Sequence, residues 1–414
     1  MGEEGSLQED NRIVLPWRVG WRGFVQFSKV LYTLTERKGY DRIVVDLSRV
    51  GRAYPNGMVP MIAEIHSCRE RGITFEVVAP SAEMTRSLFK PCGWLHHMSP
   101  GDCEAPRVSP SRSLPLERFS SDEELNDIVS KAVEVCLQQL VFAEGVPQAF
   151  EWALNEIACN VLIHSEATHG WIQVLTYREN RQLVLVVCDH GVGIPTSMSR
   201  RYSFHSDREA LELAMRKGIT SRPDVGQGNG LAGALAIAQH NRGRFAVTSQ
   251  RGRVQVLDGI VKADTNFPPY PGTCVDMHFF TDTEIDLPKA LWGHEPVDHM
   301  EMKFEDDAGD LVFRLRDYAS SFGNRITGER IRKLVTNLLI QNPGHSVRIV
   351  MDDISVISSS FADELFGKLC ADMGPVDFSR MIKLSGIDPI CKSIVDYAIT
   401  QRLAQNVTDS PRTE

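Results

Sequence analysis

Two hydrophobic periods alternate along the chain. Short apolar runs such as Ile43-Val44-Val45 and Leu183-Val184-Leu185-Val186-Val187-Cys188 have the length of β-strands. Other segments carry the helical period. Over Gln148–His164, Phe150, Ala153, Leu154, Ile157, Ala158, Val161 and Leu162 recur at steps of three and one, which predicts a helix with one apolar face. Trp171–Tyr177 and Gln182–Cys188, joined by Arg178–Arg181, predict a β-hairpin. Leu231–Asn241 predicts a further helix and Cys274–Phe280 an apolar strand.

The two ends of the chain echo each other. Arg42-Ile43-Val44-Val45-Asp46 is matched by Arg348-Ile349-Val350-Met351-Asp352, with Val50 and Val356 at the same offset. Each run follows a helix-like segment (Gly23–Lys38 and Thr327–Gln341) and precedes another (Asn56–Arg71 and Phe361–Met373). Further short strands are predicted at Thr74–Val78 and Met381–Leu384. Such alternation predicts β-α-β sheet layers covered by helices. Between the blocks lies a Pro/Ser-rich stretch with Pro100, Pro106, Pro110 and Pro115, a composition that does not build a packed core. A weaker joint carries Pro288, Gly293 and Pro296. The reading is an α/β, multidomain chain with domains at 11–98, 122–281 and 301–405, and linkers at 99–121 and 282–300.

Composition narrows the classes. The chain has 414 residues, 42% hydrophobic and 24% charged, which excludes a mostly disordered, collagen-like or coiled-coil protein. No apolar run approaches the roughly 20 residues of a membrane helix. The first ten residues hold Glu3, Glu4, Glu9 and Asp10 rather than a basic start and an apolar stretch, so a cytoplasmic location is expected. A net charge of −9 argues against nucleic acid as the main ligand. Nine scattered cysteines without a CxxC pair read as reduced core residues.

The middle block carries the candidate chemistry. Glu156 and Asn160, four apart, project side by side from the helix. A carboxamide oxygen suits a hard cation such as Mg²⁺, which leans on nucleotide phosphates. A neighbouring carboxylate could orient or deprotonate water. The same pair also reads as a solvated helix face. Asp189-His190-Gly191-Val192-Gly193 ends the second hairpin strand; its glycines permit a tight turn beside a ligand, and its Asp could accept from an exocyclic amine. A simple turn is the plainer alternative. Gly226-Gln227-Gly228-Asn229-Gly230 opens a helix, where backbone N–H groups aim at anions. Gly272-Thr273 starts the last strand. No GxxxxGK[ST] occurs, so this is not a P-loop.

In order and spacing these four pieces resemble the GHKL ATPase superfamily of gyrase B-type ATPases, Hsp-type chaperones, histidine kinases and MutL-type proteins. The resemblance implies a Bergerat-type α/β sandwich over 122–281 that binds ATP and Mg²⁺. Glu156 and Asn160 match the N box, Asp189, Gly191 and Gly193 the DxGxG box, Gly226, Gly228 and Gly230 the lid glycines, and Thr273 the Gly-Thr of the last strand. It implies Asn160 as the Mg²⁺ ligand, Glu156 as the catalytic base, and Asp189 with Thr273 as readers of adenine. Around His164-Ser165 the wording looks most like the anti-sigma-factor serine kinases. The polar lid segment holds Arg200, Arg201, Lys217 and Arg222, any of which could meet the γ-phosphate or simply be solvated.

Both outer blocks resemble STAS domains, the substrates of such kinases. In the first, Pro55 stands where that family carries its phosphorylated serine. In the third, Ser359 and Ser360 are candidate phosphoacceptors at a helix mouth, or helix-capping hydroxyls. The resulting expectation is an ATP/Mg²⁺-dependent regulator acting by partner switching, with slow ATP hydrolysis or serine kinase activity toward a STAS-type domain. The alternative is a non-catalytic nucleotide-sensing scaffold. A protein partner of STAS or sigma/anti-sigma type, no membrane contact and a homodimer complete the expectation.

Overall fold

The computed structural model describes residues 7–101, 103–106, 113–224, 227–257, 259–294, 303–306 and 310–409. The chain is mixed α/β and divides into two compact units, one of residues 1–136 with 149–294, the other of 137–148 with 295–414.

In the first unit, β1 (Leu7–Glu9), β2 (Arg12–Val14), β4 (Arg42–Asp46) and β6 (Thr74–Val78) form a sheet in the order β1-β2-β4-β6, with β2, β4 and β6 parallel. β3 (Arg18–Val19) and β5 (Arg52–Ala53) pair separately. Helices α1 (Trp21–Tyr32) and α2 (Pro55–Glu70) make the crossovers. α2 buries Met58, Val59, Met61, Ile62, Ala63 and Ile65, apolar positions on every side. A helix hydrophobic all round is one covered all round. Its start crosses the start of α1 so closely that a Cβ on Gly57 would lie 2.8 Å from the backbone of Gly20.

The second sheet of this unit holds β7 (Ser113–Phe119), β8 (Gly170–Tyr177), β9 (Gln182–Asp189), β10 (Arg244–Leu257) and β11 (Ile260–Phe280), antiparallel in the order β10-β11-β9-β8-β7. β7 corrects the sequence reading, which placed 99–121 in a linker. Leu114, Leu116 and Phe119 are buried on it. Pro115 sits where the register shifts between Leu114 and Glu117, on an edge strand, where a missing N–H is tolerated.

Both faces of this sheet are covered. Val184, Val186, Cys188, Trp171, Tyr270 and Cys274 belong to one core with Phe24, Phe27, Met58 and Ile62 of α1 and α2. The alternate residues Leu183, Leu185 and Val187 face helices α3 (Asp122–Gln139), α4 (Val146–His164) and α5 (Gly230–His240). Phe279, in register with Leu183, meets Phe150 of α4 edge-on at 5.8 Å. The apolar run of β9 is unbroken because neither face is wet. The first and middle blocks, read as separate domains, therefore share a core. Polar bonds pin them together: Trp94 Nε1 donates to Gln173 Oε1 at 2.8 Å, Gln173 Nε2 to Cys92 O at 3.1 Å, and Asn56 Nδ2 to Asp276 Oδ2 at 2.8 Å.

In the second unit, β12 (Leu311–Arg314), β13 (Val347–Val350) and β14 (Ile382–Ser385) are parallel in the order β12-β13-β14. Helix α6 (Arg325–Gln341) connects the first two, and a helical segment over Ser359–Met373 follows β13. α7 (Pro389–Asp409) closes the unit. The strand–helix order repeats that of β2-α1-β4-α2-β6. Buried Glu364 is met by Lys368 at 2.7 Å and Arg332 at 3.2 Å. Asn337 of α6 donates to Leu137 O (3.0 Å) and Leu140 O (2.8 Å) and accepts from Phe142 N (2.8 Å). Among the described residues no helix is long and apolar enough to cross a membrane.

Candidate functional site

Strand alternation places the sequence-predicted groups on the α4 side of the five-stranded sheet. Asp189 shares the face of Leu183, Leu185 and Val187, and its register partner is Thr273. Thr273 is in turn opposite Ser249 of β10.

Asp189 is 3% exposed. It accepts from the Gly191 amide at 2.8 Å and from the Thr273 amide. Burial raises its carboxyl to about 7, against the opposing pull of those two amides. The turn after Asp189 is pressed against the end of α4. Val192 N donates to Ser165 O at 2.7 Å, and a Cβ on Gly191 would collide with that same carbonyl. Gly193 takes φ +76°, the left-handed region that favours glycine.

Ser249 holds the turn and the last strand together. Its hydroxyl accepts from Ile194 N at 2.8 Å and donates to Gly272 O at 2.6 Å, with Thr273 Oγ1 at 3.3 Å. Sequence reasoning missed this residue, because a lone serine inside a strand carries no motif.

The glycine loop closes the other side. Gly226 lies outside the described residues. Gly228 accepts from Gly218 N at 3.1 Å, tying the loop to the lid segment. Gly230 opens α5 directly against α4: a Cβ there would lie 2.5 Å from Glu156 Oε2 and 3.5 Å from Asn160 Nδ2. Burial raises the Glu156 carboxyl, and nearby His294 partly offsets this. Asn160 Nδ2 is buried without a hydrogen-bond partner.

One face of α4 thus meets both halves. Glu156 and Asn160 stand at the start of α5, and Ser165 at the Asp189 turn. An unpartnered amide N–H beside a helix N-terminus fits an acceptor such as a phosphate oxygen, and the carboxamide oxygen of the same side chain with the neighbouring carboxylate fits a hydrated cation. A buried carboxylate fixed by two amides fits an amine donor. ATP and Mg²⁺ are compatible with these residues.

The basic lid residues differ in what they touch. Arg200 pairs with Glu166 at 2.5 Å, Arg201 donates to Thr220 O at 3.4 Å, and Arg222 donates to Ile163 O at 3.1 Å. Lys217 instead lies over the Trp292 ring, 4.9 Å from its centroid.

The remaining candidates lie elsewhere. Ser359 and Ser360 begin the helical segment after β13 in the second unit. The cap is Ser358, which accepts from Phe361 N at 3.1 Å and meets Ser360 Oγ at 3.0 Å. Ser359 is exposed. Pro55 is the first residue of α2 and is buried.

Comparison with known proteins adds one family. Residues 327–390 match a STAS-like domain of unknown function (DUF4325). No curated protein matches the chain. The second unit therefore carries a STAS-like domain.

Proposed function

We propose that residues 122–281 are a GHKL-type ATPase domain, with a STAS-like block before it, and that the chain is an ATP- and Mg²⁺-dependent regulator acting by partner switching. Its activity is slow ATP hydrolysis or serine phosphorylation of a STAS-type domain. The observation that supports this most is the meeting of Gly230 with Glu156 and Asn160, which puts a helix N-terminus against a carboxylate and an unpartnered amide.

Asp189, aimed by the Gly191 and Thr273 amides, would accept from the adenine amine. Gly228 and Gly230 give phosphates close access to backbone N–H groups. Asn160 would hold Mg²⁺, which supplies positive charge against the phosphates when bound. Glu156 has a carboxyl shifted upward by burial, the direction that makes it a better base for an attacking hydroxyl.

The test is full-length protein with Mg²⁺ and γ-labelled ATP, following free phosphate and label on protein. Labelled protein supports the kinase arm, and loss of label in a Ser359→Ala/Ser360→Ala variant would assign those hydroxyls. Free phosphate without label supports an ATPase switch. Binding without either product favours the nucleotide-sensing scaffold. Asn160→Ala should abolish Mg²⁺-dependent ATP binding while the protein stays folded; unchanged affinity would sink the Mg²⁺ role.

A further inference from the structure

After its last strand the first unit ends in a short segment that returns to the candidate site. Asp286 caps the turn Leu287–Ala290, accepting from Lys289 N at 3.0 Å. Leu287, Ala290 and Leu291 are buried. Leu291 Cδ2 lies 2.9 Å from where a Cβ on Gly233 would stand, and the Trp152 ring crowds the same point. The segment thus packs on α5 and beside Trp152, one helical turn before Glu156. His294 is close enough to act electrostatically on Glu156.

Between these anchors Trp292 has φ +56° and is 45% exposed. A bulky residue in that region is strained, and such strain persists only where surrounding contacts fix it. Here the flanking bonds Gly293 N to Pro288 O (2.6 Å) and His294 N to Leu291 O (3.2 Å) hold the turn. The indole faces the Lys217 ammonium.

Lys217 is the basic residue of the lid that lies over the indole of this segment; among the described residues, Arg208 and Arg216 share its lack of an oxygen acceptor but not that ring. Arg200, Arg201 and Arg222 are each engaged by an oxygen acceptor. Lys217 has no such acceptor among the described residues. Its neighbour Gly218 donates to Gly228 O at 3.1 Å and Asn229 Oδ1 at 3.2 Å, which brings Lys217 to the glycine loop. A cation over a ring keeps its N–H donors for other oxygens.

We propose that Lys217 is the lid cation that meets the terminal phosphate, and that Trp292 is the positioning residue that holds it there, so that segment 287–294 distinguishes a nucleoside triphosphate from a diphosphate. This rests on the nucleotide reading above. Arg200, Arg201 and Arg222 are already neutralised or spent on carbonyls, and of the remaining lid cations only Lys217 is held over the Trp292 ring, beside the glycine loop, among the described residues.

The experiment is equilibrium binding of fluorescent ATP and ADP analogues, with Mg²⁺, to the full chain and to Trp292→Ala, Trp292→Phe and Lys217→Met, each checked by thermal melting. Trp292→Ala should weaken the triphosphate about fivefold, the scale of one exposed cation–π contact, and leave the diphosphate unchanged. Trp292→Phe should keep most of the affinity, since a ring face remains. Lys217→Met should erase the preference for triphosphate. Equal losses for both nucleotides would mean mere structural support and would overturn the inference, as would an unchanged preference in Lys217→Met. Wild-type protein that bound neither analogue would overturn the nucleotide reading itself.

Discussion

At the scale of single residues, Asp189 is the most informative group. Its carboxyl is raised to about 7 by burial, yet an amine donor requires the ionised form. Nucleotide affinity should therefore rise about tenfold from pH 6 to pH 8, following the ionised fraction of a group with that value. Without ligand the sign is opposite: a carboxyl raised in the folded state favours folding at low pH and loses that contribution as pH climbs through about 7. Calorimetric titration at the two pH values checks the first, and Asp189→Asn should flatten the profile. Asp189, Gly191, Gly193, Asn160 and Gly230 were legible in the sequence because spacing marks them. Ser249 was not, because a strand serine resembles any other. Nor could Lys217 be chosen over three arginines, since tertiary partners decide which charge is unspent.

Among the secondary-structure elements, packing on one side chain can decide a whole segment. Asn337 satisfies two carbonyls and one amide of residues 137–142 from inside α6. Asn337→Leu should destabilise the second unit by about 2–4 kcal/mol, because several buried backbone groups lose their partners at once. Urea unfolding read by hydrogen exchange of α6 would measure it, and a change below about 0.5 kcal/mol would discount the hub. Most helices were legible from their period: α4 begins two residues before the predicted Gln148 and ends at the predicted His164. Several strands were not: β2, β10 and β12 carry no prediction, β7 was read as linker, and β11 was found only in part. β7 hides behind the proline and serine content around it. β11 was predicted only from Cys274, yet it runs back to Ile260. There the strand is largely exposed and contains Pro268, Pro269 and Pro271, which look like breakers in one dimension.

Across the whole molecule, the main departure from the sequence reading is the shared core of the first unit. The clue was present in Leu183–Cys188, which never alternates as a half-exposed antiparallel strand should. The composition of 99–121 masked it by suggesting independent domains. The shared core makes a prediction about fragments. Residues 113–294 expressed alone should self-associate and bind a hydrophobic dye, whereas residues 1–294 should not. Light scattering of the two fragments decides this, and a monodisperse 113–294 would show that the sheet tolerates an uncovered face. The same feature has a consequence for synthesis. α2 is complete at residue 70, but β11, part of the layer that covers it, ends only at residue 280. At ribosomal speeds of about 5–20 residues per second, that delay is roughly 10–40 seconds. Until β8, β9 and β11 have all joined, the nascent chain carries a finished helix whose second wall is incomplete, which predicts contact with chaperones that act at the ribosome exit.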